Sequence, residues 1–293
     1  MATDDAIVGV DLKVQKDGTL IGMQTDASLQ VSPDMKEIIV KNTPGGGPTD
    51  WKARLPGKQE WSMDHENLVL DQSDEKGIAD PNATLKMEVD TTDDSTDNPT
   101  LVEVPLLDSI DFQLTQELAE IGGLDQPLWR YLRAAEREFM VELSGTLVEP
   151  TSDGGAVYKE LEEARDNRVA LPFELDVFGK TFSGDTWIGD VSRQASTGGE
   201  DATIDMTLQS ELGLTTNGSF GSSVDPIFTA FMNKDTVDMG MLHYAGQSPE
   251  TGTRKLSGTG YYSEISISLE SGEPISMSGT VEGDGPLALG TVA

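Results

Sequence analysis

Apolar and polar residues alternate with a period of two along much of this chain. Val8, Val10, Leu12 and Val14 mark one such run, Phe173, Leu175 and Val177 a second, and Ile265, Ile267 and Leu269 a third. That period sends successive side chains to opposite faces of a strand, and β-branched and aromatic residues suit a half-buried sheet. Gly198-Gly199 and Ser271-Gly272-Glu273-Pro274 read as hairpin turns between long strands. Two segments, 156–166 and 225–233, read as short helices, the second with Asp225 as N-cap and Pro226 at the first helical position. The expected fold is mainly β and antiparallel.

The alternating segments also repeat. Residues 29–38, Leu-Gln-Val-Ser-Pro-Asp-Met-Lys-Glu-Ile, match residues 112–121, Phe-Gln-Leu-Thr-Gln-Glu-Leu-Ala-Glu-Ile, with apolar, polar and acidic positions in register. The match continues as Trp51-Lys52 with Trp129-Arg130, Glu60-Trp61 with Glu138-Phe139, and Val69-Leu70 with Leu147-Val148. A second match joins 157–214 to 225–287: Ser183-Gly184, Trp187 and Asp190-Val191-Ser192 correspond to Ser257-Gly258, Tyr261 and Glu264-Ile265-Ser266. Two plain tandem copies would read first half, second half, first half, second half. Here the order is first, first, second, second, which predicts one copy inserted in another. The inserted domain would be 100–216, the host domain 1–75 plus 217–293, and 76–104 the connecting segment, in which Thr91 to Pro99 has the composition of a solvated linker.

Charge adds a solvent to this picture. The 293 residues carry 52 Asp and Glu against 20 Lys and Arg, a formal net charge of −32. In dilute buffer such a compact state repels itself, whereas at molar salt the screening length falls to about 3 Å and the repulsion fades. The acids are spread along the chain, apart from the block Asp90 to Asp97, so they read as halophilic adaptation rather than an acidic tail. No cluster of Lys and Arg offers phosphates a binding patch, which argues against affinity for free DNA. There is no cysteine, so disulfides, thiolate metal sites and cysteine nucleophiles are excluded. Met1-Ala2-Thr3-Asp4-Asp5 lacks the cationic and apolar regions of an export signal, and no apolar run approaches the roughly 20 residues of a membrane helix. Synthesis in the cytoplasm and no membrane partner are expected.

No catalytic constellation emerges. His65 and His243 have neither metal-ligand spacing nor a nucleophile beside them, and read as structural. Gly45-Gly46-Gly47 and Gly283-Asp284-Gly285 are followed by no Gly-Lys-Ser/Thr and read as turns. Asp71, Asp74, Glu75 and Gly77 depart from a calcium loop, with Asn82 where its last carboxylate belongs. Asn82 and Asn217 fit a glycosylation pattern frequent by chance. The expectation is a protein that is not an enzyme, with no cofactor and no metal site.

The segment with a specific signal is Trp51-Lys-Ala-Arg-Leu55-Pro56-Gly57-Lys-Gln-Glu-Trp61-Ser62, with Ala27 to Val31 before it and a Gly/Pro-rich loop between. Later come Asp166-Asn167-Arg168 closing a helix, the strand Val169 to Val177, and Phe182-Ser183-Gly184. In these features the chain resembles the major tail tube proteins of long-tailed, siphovirus-like phages, and its acidity suggests a virus of a halophilic archaeon. The resemblance implies two tail-tube β-sandwich or barrel domains, each with one short helix, whose strands continue from subunit to subunit around a channel. Its structural motif residues are Trp51, Leu55, Pro56, Gly57, Trp61 and Trp129. The loop Lys41, Asn42, Pro44, Gly45, Gly46, Gly47, Pro48 and Asp50 would reach the adjacent ring. Leu55-Pro56-Gly57 reads as a turn between core strands, and the inner copy departs from the pattern, with Arg133-Ala134-Ala135 in place of that Leu-Pro-Gly turn. Single-domain members form hexameric rings, so a chain with two copies is expected to form a homotrimer that is a pseudo-hexameric ring. Its partners would be further copies of itself, tape-measure, tail terminator and baseplate or tail-tip proteins, and DNA that passes the lumen unbound. The alternatives are the tube of a cellular contractile injection or secretion device, and an extracellular halophilic β-domain.

Overall fold

The computed structural model describes residues 12–21, 23–40, 51–68, 83–88, 101–105, 107–121, 129–146, 153–177, 179–194, 202–211, 213–220, 224–245, 248–249, 251–270 and 273–292. The loop 41–50, Asp71 to Gly77, Asp90 to Asp97, and Gly198-Gly199 lie outside them, as do Val8 and Val10. In chain order the elements are β1 Leu12–Lys16, β2 Thr19–Leu20, β3 Met23–Val40, β4 Trp51–Leu68, β5 Ala83–Glu88, β6 Leu101–Glu103, β7 Leu107–Glu120 and β8 Leu132–Thr146. There follow α1 Asp153–Asn167, β9 Leu171–Val177, β10 Lys180–Gln194, β11 Thr203–Ser210 and β12 Thr215–Asn217. The last are α2 Asp225–Asn233, β13 Val237–Ala245, β14 Ser248–Pro249, β15 Arg254–Glu270, β16 Ser276–Gly283 and β17 Ala288–Thr291. Among the described residues the protein is thus mainly β, with two helices and strands that pair antiparallel.

Eight strands form one continuous row in the order β3-β4-β16-β15-β7-β8-β11-β10. Two of them turn out of it. β15 pairs with β7 over its last part and with β13 and β17 over its first, while β10 pairs with β11 over its last part and with β9 and β12 over its first. β13 leads on to β1 and β2, and β9 to β5 and β6. Apolar faces of these strands and of both helices join in one buried cluster, including Phe112, Val141, Phe173, Phe182, Phe228 and Ile267. Removing such area from water, at about 25 cal/mol per Å², is what holds the row to the helices and to the strands that turn out of it.

Pairing registers recur across the row. Leu29 lies opposite Met63 as Phe112 lies opposite Val141, and Met63 opposite Val281 as Val141 opposite Leu208. Bulges at Pro33/Met35 and Gln116/Leu118 match, as do those at Tyr262/Glu264 and Ile188/Val191. Val14 opposite Met241 matches Leu85 opposite Leu175. Both helices also end alike, on left-handed Arg168 (φ 54) and Lys234 (φ 60), with the next N–H returning to Ala164 O and Ala230 O. Residues 83–88, inside the segment expected to connect domains, therefore form a strand that holds the place beside β9 that β1 holds beside β13.

Two local readings need correction. Asp225 is not the N-cap of α2: Val224 stands there without a side-chain cap, and Asp225 is the first helical residue. Its carboxylate accepts from the Ser219 hydroxyl, the Phe220 N–H (3.0 Å) and Lys180 Nζ (2.9 Å) instead. Leu55, Pro56 and Gly57 lie within β4, beside the bulge at Pro33/Met35, and not at a turn.

Candidate functional site

Cross-strand pairing decides which residues of the eight-strand row share a face, because directly opposed side chains point the same way. Ser28 opposes Asp64, Asp64 opposes Thr280, Thr280 opposes Glu264, and Glu264 opposes Thr115. Thr115 opposes Glu138, and the same side continues through Glu142 opposite Thr207 to Ser192 opposite Asp205. One face of the whole row is therefore polar, and the other is the core face carrying Met63, Val281, Ile265, Leu114, Val141 and Met206.

The polar face is acidic. Asp26, Asp64 and Glu66 stand on it from β3 and β4, Glu264 and Glu270 from β15, Asp111 and Glu142 from β7 and β8, and Asp205 and Asp190 from β11 and β10. Over rows 26–32, 60–68, 276–282, 264–270, 109–115, 138–144, 203–209 and 190–194 it carries no Lys or Arg, since Arg193 belongs to the opposite parity beside Val191. Away from Glu60 and Glu282, neutral donors hold several of the carboxylates. The Ser28 hydroxyl (3.0 Å) and the Thr280 hydroxyl (2.9 Å) donate to Asp64, the Gln113 amide donates to Glu264 (2.8 Å), and the Ser192 hydroxyl donates to Asp205 (3.1 Å). A hydroxyl fixes a carboxylate's direction without cancelling its charge, so these carboxylates keep their negative potential.

At one end Arg130 closes the face. Its guanidinium donates to Glu60 (3.0 Å) and to Glu282, while Trp129, half-buried, forms an isolated parallel bridge with Gln59. Trp61, two residues along from that bridge, is buried on the core side; its indole N–H donates to Gly285 O (3.1 Å). A Cβ on Gly258 would come within 2.6 Å of this ring, and one on Gly283 would overlap it, so both glycines are required for Trp61 to lie where it does. Trp51, Leu55, Pro56 and Gly57 lie on the outer stretch of β4, away from the face, and the loop 41–50 between β3 and β4 lies outside the described residues.

The buried polar groups are structural. His65 Nε2 lies 3.2 Å from the Tyr262 hydroxyl, and its Nδ1 lies 2.6 Å from the Asn67 amide. With the Asn67 oxygen facing the ring, His65 Nδ1–H donates to it and the Asn67 amide nitrogen donates to Ile21 O (3.0 Å). Tyr262 then donates to Nε2, and every polar group of the trio has a partner. Burial pulls the imidazole pKa down to about 4, and nearby Asp64 opposes this more weakly. His243 lies on β13, opposite Leu12. Lys180, also buried, pairs with Asp225 and lies 5.6 Å and 5.5 Å from the Phe220 and Phe228 ring centres. Burial alone would raise the Asp225 carboxyl, but Ser219, the Phe220 N–H and Lys180 hold it below the usual carboxylate value. Among the described residues no group of three or more His, Asp or Glu is gathered to hold a metal ion, and no helix is long and apolar enough to cross a membrane.

The row also has two unfinished edges. β3 pairs with β4 on one side, and among the described residues no strand pairs with its other side; the last part of β10, from Trp187 to Gln194, likewise pairs with β11 alone. Val31, on the β3 edge, is 49% exposed. Sequence periodicity gave no access to either feature, because it assigns faces only within a strand.

No protein-family model and no curated protein matches the chain. Among solved structures, a chain in the tail of the empty gene transfer agent particle is 14% identical, with a TM-score of 0.39, covering 46% of this chain and 95% of that one. The native gene transfer agent virion contains another at 13% identity and a TM-score of 0.37, covering 46% and 95%. The SPP1 tail tube protein is 16% identical, with a TM-score of 0.37, over 51% of this chain and 83% of that one.

Proposed function

We propose that this chain is the subunit of a viral tail tube, a structural virion protein whose rings stack into a channel for DNA delivery. The observation that carries the reading is the polar face of the eight-strand row, whose own positions include carboxylates and no Lys or Arg, and which a cation reaches only at the Glu60–Glu282 end, through Arg130. A channel must let phosphate pass without holding it, and a wall of fixed negative charge with no Lys or Arg in its rows does that. The Trp51 to Ser62 motif and the order of the internal repeat support the same reading from the sequence side.

The recurring registers support two tube units in the chain. One unit comprises β1, β3, β4, α2, β13, β15 and β16; the other, threaded between β4 and α2, comprises β5, β7, β8, α1, β9, β10 and β11. Three chains would then supply six units to a ring. A halophilic setting accounts for the charge, since salt screens the carboxylate wall during assembly. Cryo-electron microscopy of the purified protein in molar salt tests this: rings of three chains around an open channel are expected. Six chains per ring would refute the trimer, and particles without a channel would refute the tube.

A further inference from the structure

Among the described residues, the recurring strand groups meet edge to edge where β15 pairs with β7. There Ile265 opposes Leu114, Ser266 opposes Gln113 and Ile267 opposes Phe112. Their shared registers superpose β10 on β15 and β3 on β7, and β10 and β3 bear the two unfinished edges. We infer that β10 of one copy pairs antiparallel with β3 of the next in this same register, with Val191 opposite Val31, Ser192 opposite Gln30 and Arg193 opposite Leu29. The inference rests on the reading that copies of this chain close into a ring, and adds which residues meet.

Three observations favour a second copy as the occupant. The polar sides of both edges continue the acidic face, Asp190 and Ser192 on one and Gln30 and Ser32 on the other, as the intact junction does with Glu264 and Thr115. Val31, half exposed at present, would find Val191 opposite it, where Leu114 finds Ile265. The helices supply the third. Beside the intact junction, the end of α2 is held by β8: the Arg137 guanidinium donates to Phe231 O (3.1 Å) and Met232 O, and Lys234 donates to Ala135 O. Arg168 holds the place on α1 that Lys234 holds on α2, and is exposed beside Val169, itself 43% exposed. In the proposed register it meets the Gly57 carbonyl of the next copy, with Gln59 in the place of Arg137.

The two junctions differ in one respect. Ile267 and Phe112 are both fully buried, whereas their counterparts are Arg193, which is ion-paired with Glu162 of α1, and partly buried Leu29. The junction between chains is therefore the less apolar of the two and the one that opens first on dilution.

The chain has no cysteine, so two introduced ones report directly. Purified V31C/V191C protein, treated in molar salt with the shortest bifunctional thiol reagent, is expected to give covalently closed trimers. V31C alone and the out-of-register V31C/Q194C are expected to stay single chains. Deuterium uptake of the wild type gives a second readout, with protection gained on assembly over 26–32 and 190–194. Electron micrographs of the same samples separate the failures. Rings without cross-links or added protection overturn this junction and leave the ring standing. Cross-linked open ladders support the junction and overturn the ring. Neither rings nor cross-links overturn both.

Discussion

Ile267 on β15 lies directly opposite Phe112 on β7, and neither side chain is exposed to solvent. The pair seals the seam between the two recurring strand groups. Phe112 also stacks against Phe182, with ring centres 4.8 Å apart, so the seam is continuous with the core beneath α2, where Phe182 meets Phe228 at 5.6 Å.

Truncating Phe112 to Ala should therefore destabilise the whole chain by about 3–5 kcal/mol, the usual range for a fully buried Phe. Leu29→Ala, at the matching place on the open edge and only partly buried, should destabilise the isolated chain far less. Denaturant unfolding of both variants in high salt measures the difference, and equal losses would contradict the assigned inequality of the two edges.

Much of this fold was legible in the sequence, but only along single strands. Alternation placed Phe173, Leu175 and Val177, or Ile265, Ile267 and Leu269, on buried faces, and all are buried. Ala83 to Glu88 alternates equally well, yet the acidic block that follows drew the whole segment into a connection. Asp225 was misread because Asp before Pro is a frequent cap pattern. The Ser219 hydroxyl, the Phe220 N–H and Lys180, which claim its carboxylate, are brought together by the fold. The acidic face itself depends on registers between β3 and β10, at opposite ends of the row, and no local pattern encodes them.

His65 should make the protein sensitive to mild acid. Its pKa is about 4 in the fold against 6.5 when exposed, so between those values the unfolded chain takes up a proton that the folded chain refuses. Stability then falls as pH drops from 6.5 towards 4, by an amount on the order of 3 kcal/mol for this group. His65→Gln removes that dependence. The stability gap between wild type and H65Q should shrink from pH 7 to pH 4 in denaturant titrations at constant salt, and parallel pH profiles would rule the assignment out.

The acidic face should become a phosphate trap when its sign is reversed. Asp64 and Glu142 are exposed positions on the polar side of the row, so Lys at both leaves the core untouched. Rings of the D64K/E142K protein are expected to retain double-stranded DNA at moderate salt and release it as salt rises, with a log–log slope of about −0.9 for each phosphate neutralised. Wild-type rings should retain none. If both samples ignore DNA while rings form normally, the face does not line the channel.

The hairpin of β3 and β4 runs on beyond its neighbours in the row. The two strands stay paired out to Val40 opposite Trp51, whereas β16 leaves β4 at Ser62 and the Trp129 bridge ends at Gln59. From Gln59 to Trp51 the hairpin therefore runs on with no lateral strand among the described residues, a span of roughly 25 Å at the usual rise per residue. An arm of that length extends past the edge of the row, where the next ring would stand. Deleting 42–49 and closing β3 to β4 with a two-residue turn removes the tip while leaving the ladder and the ring edges intact. Such a variant is expected to form rings that no longer stack, seen as single discs by electron microscopy. Long tubes from it would show that the contact between rings is made elsewhere.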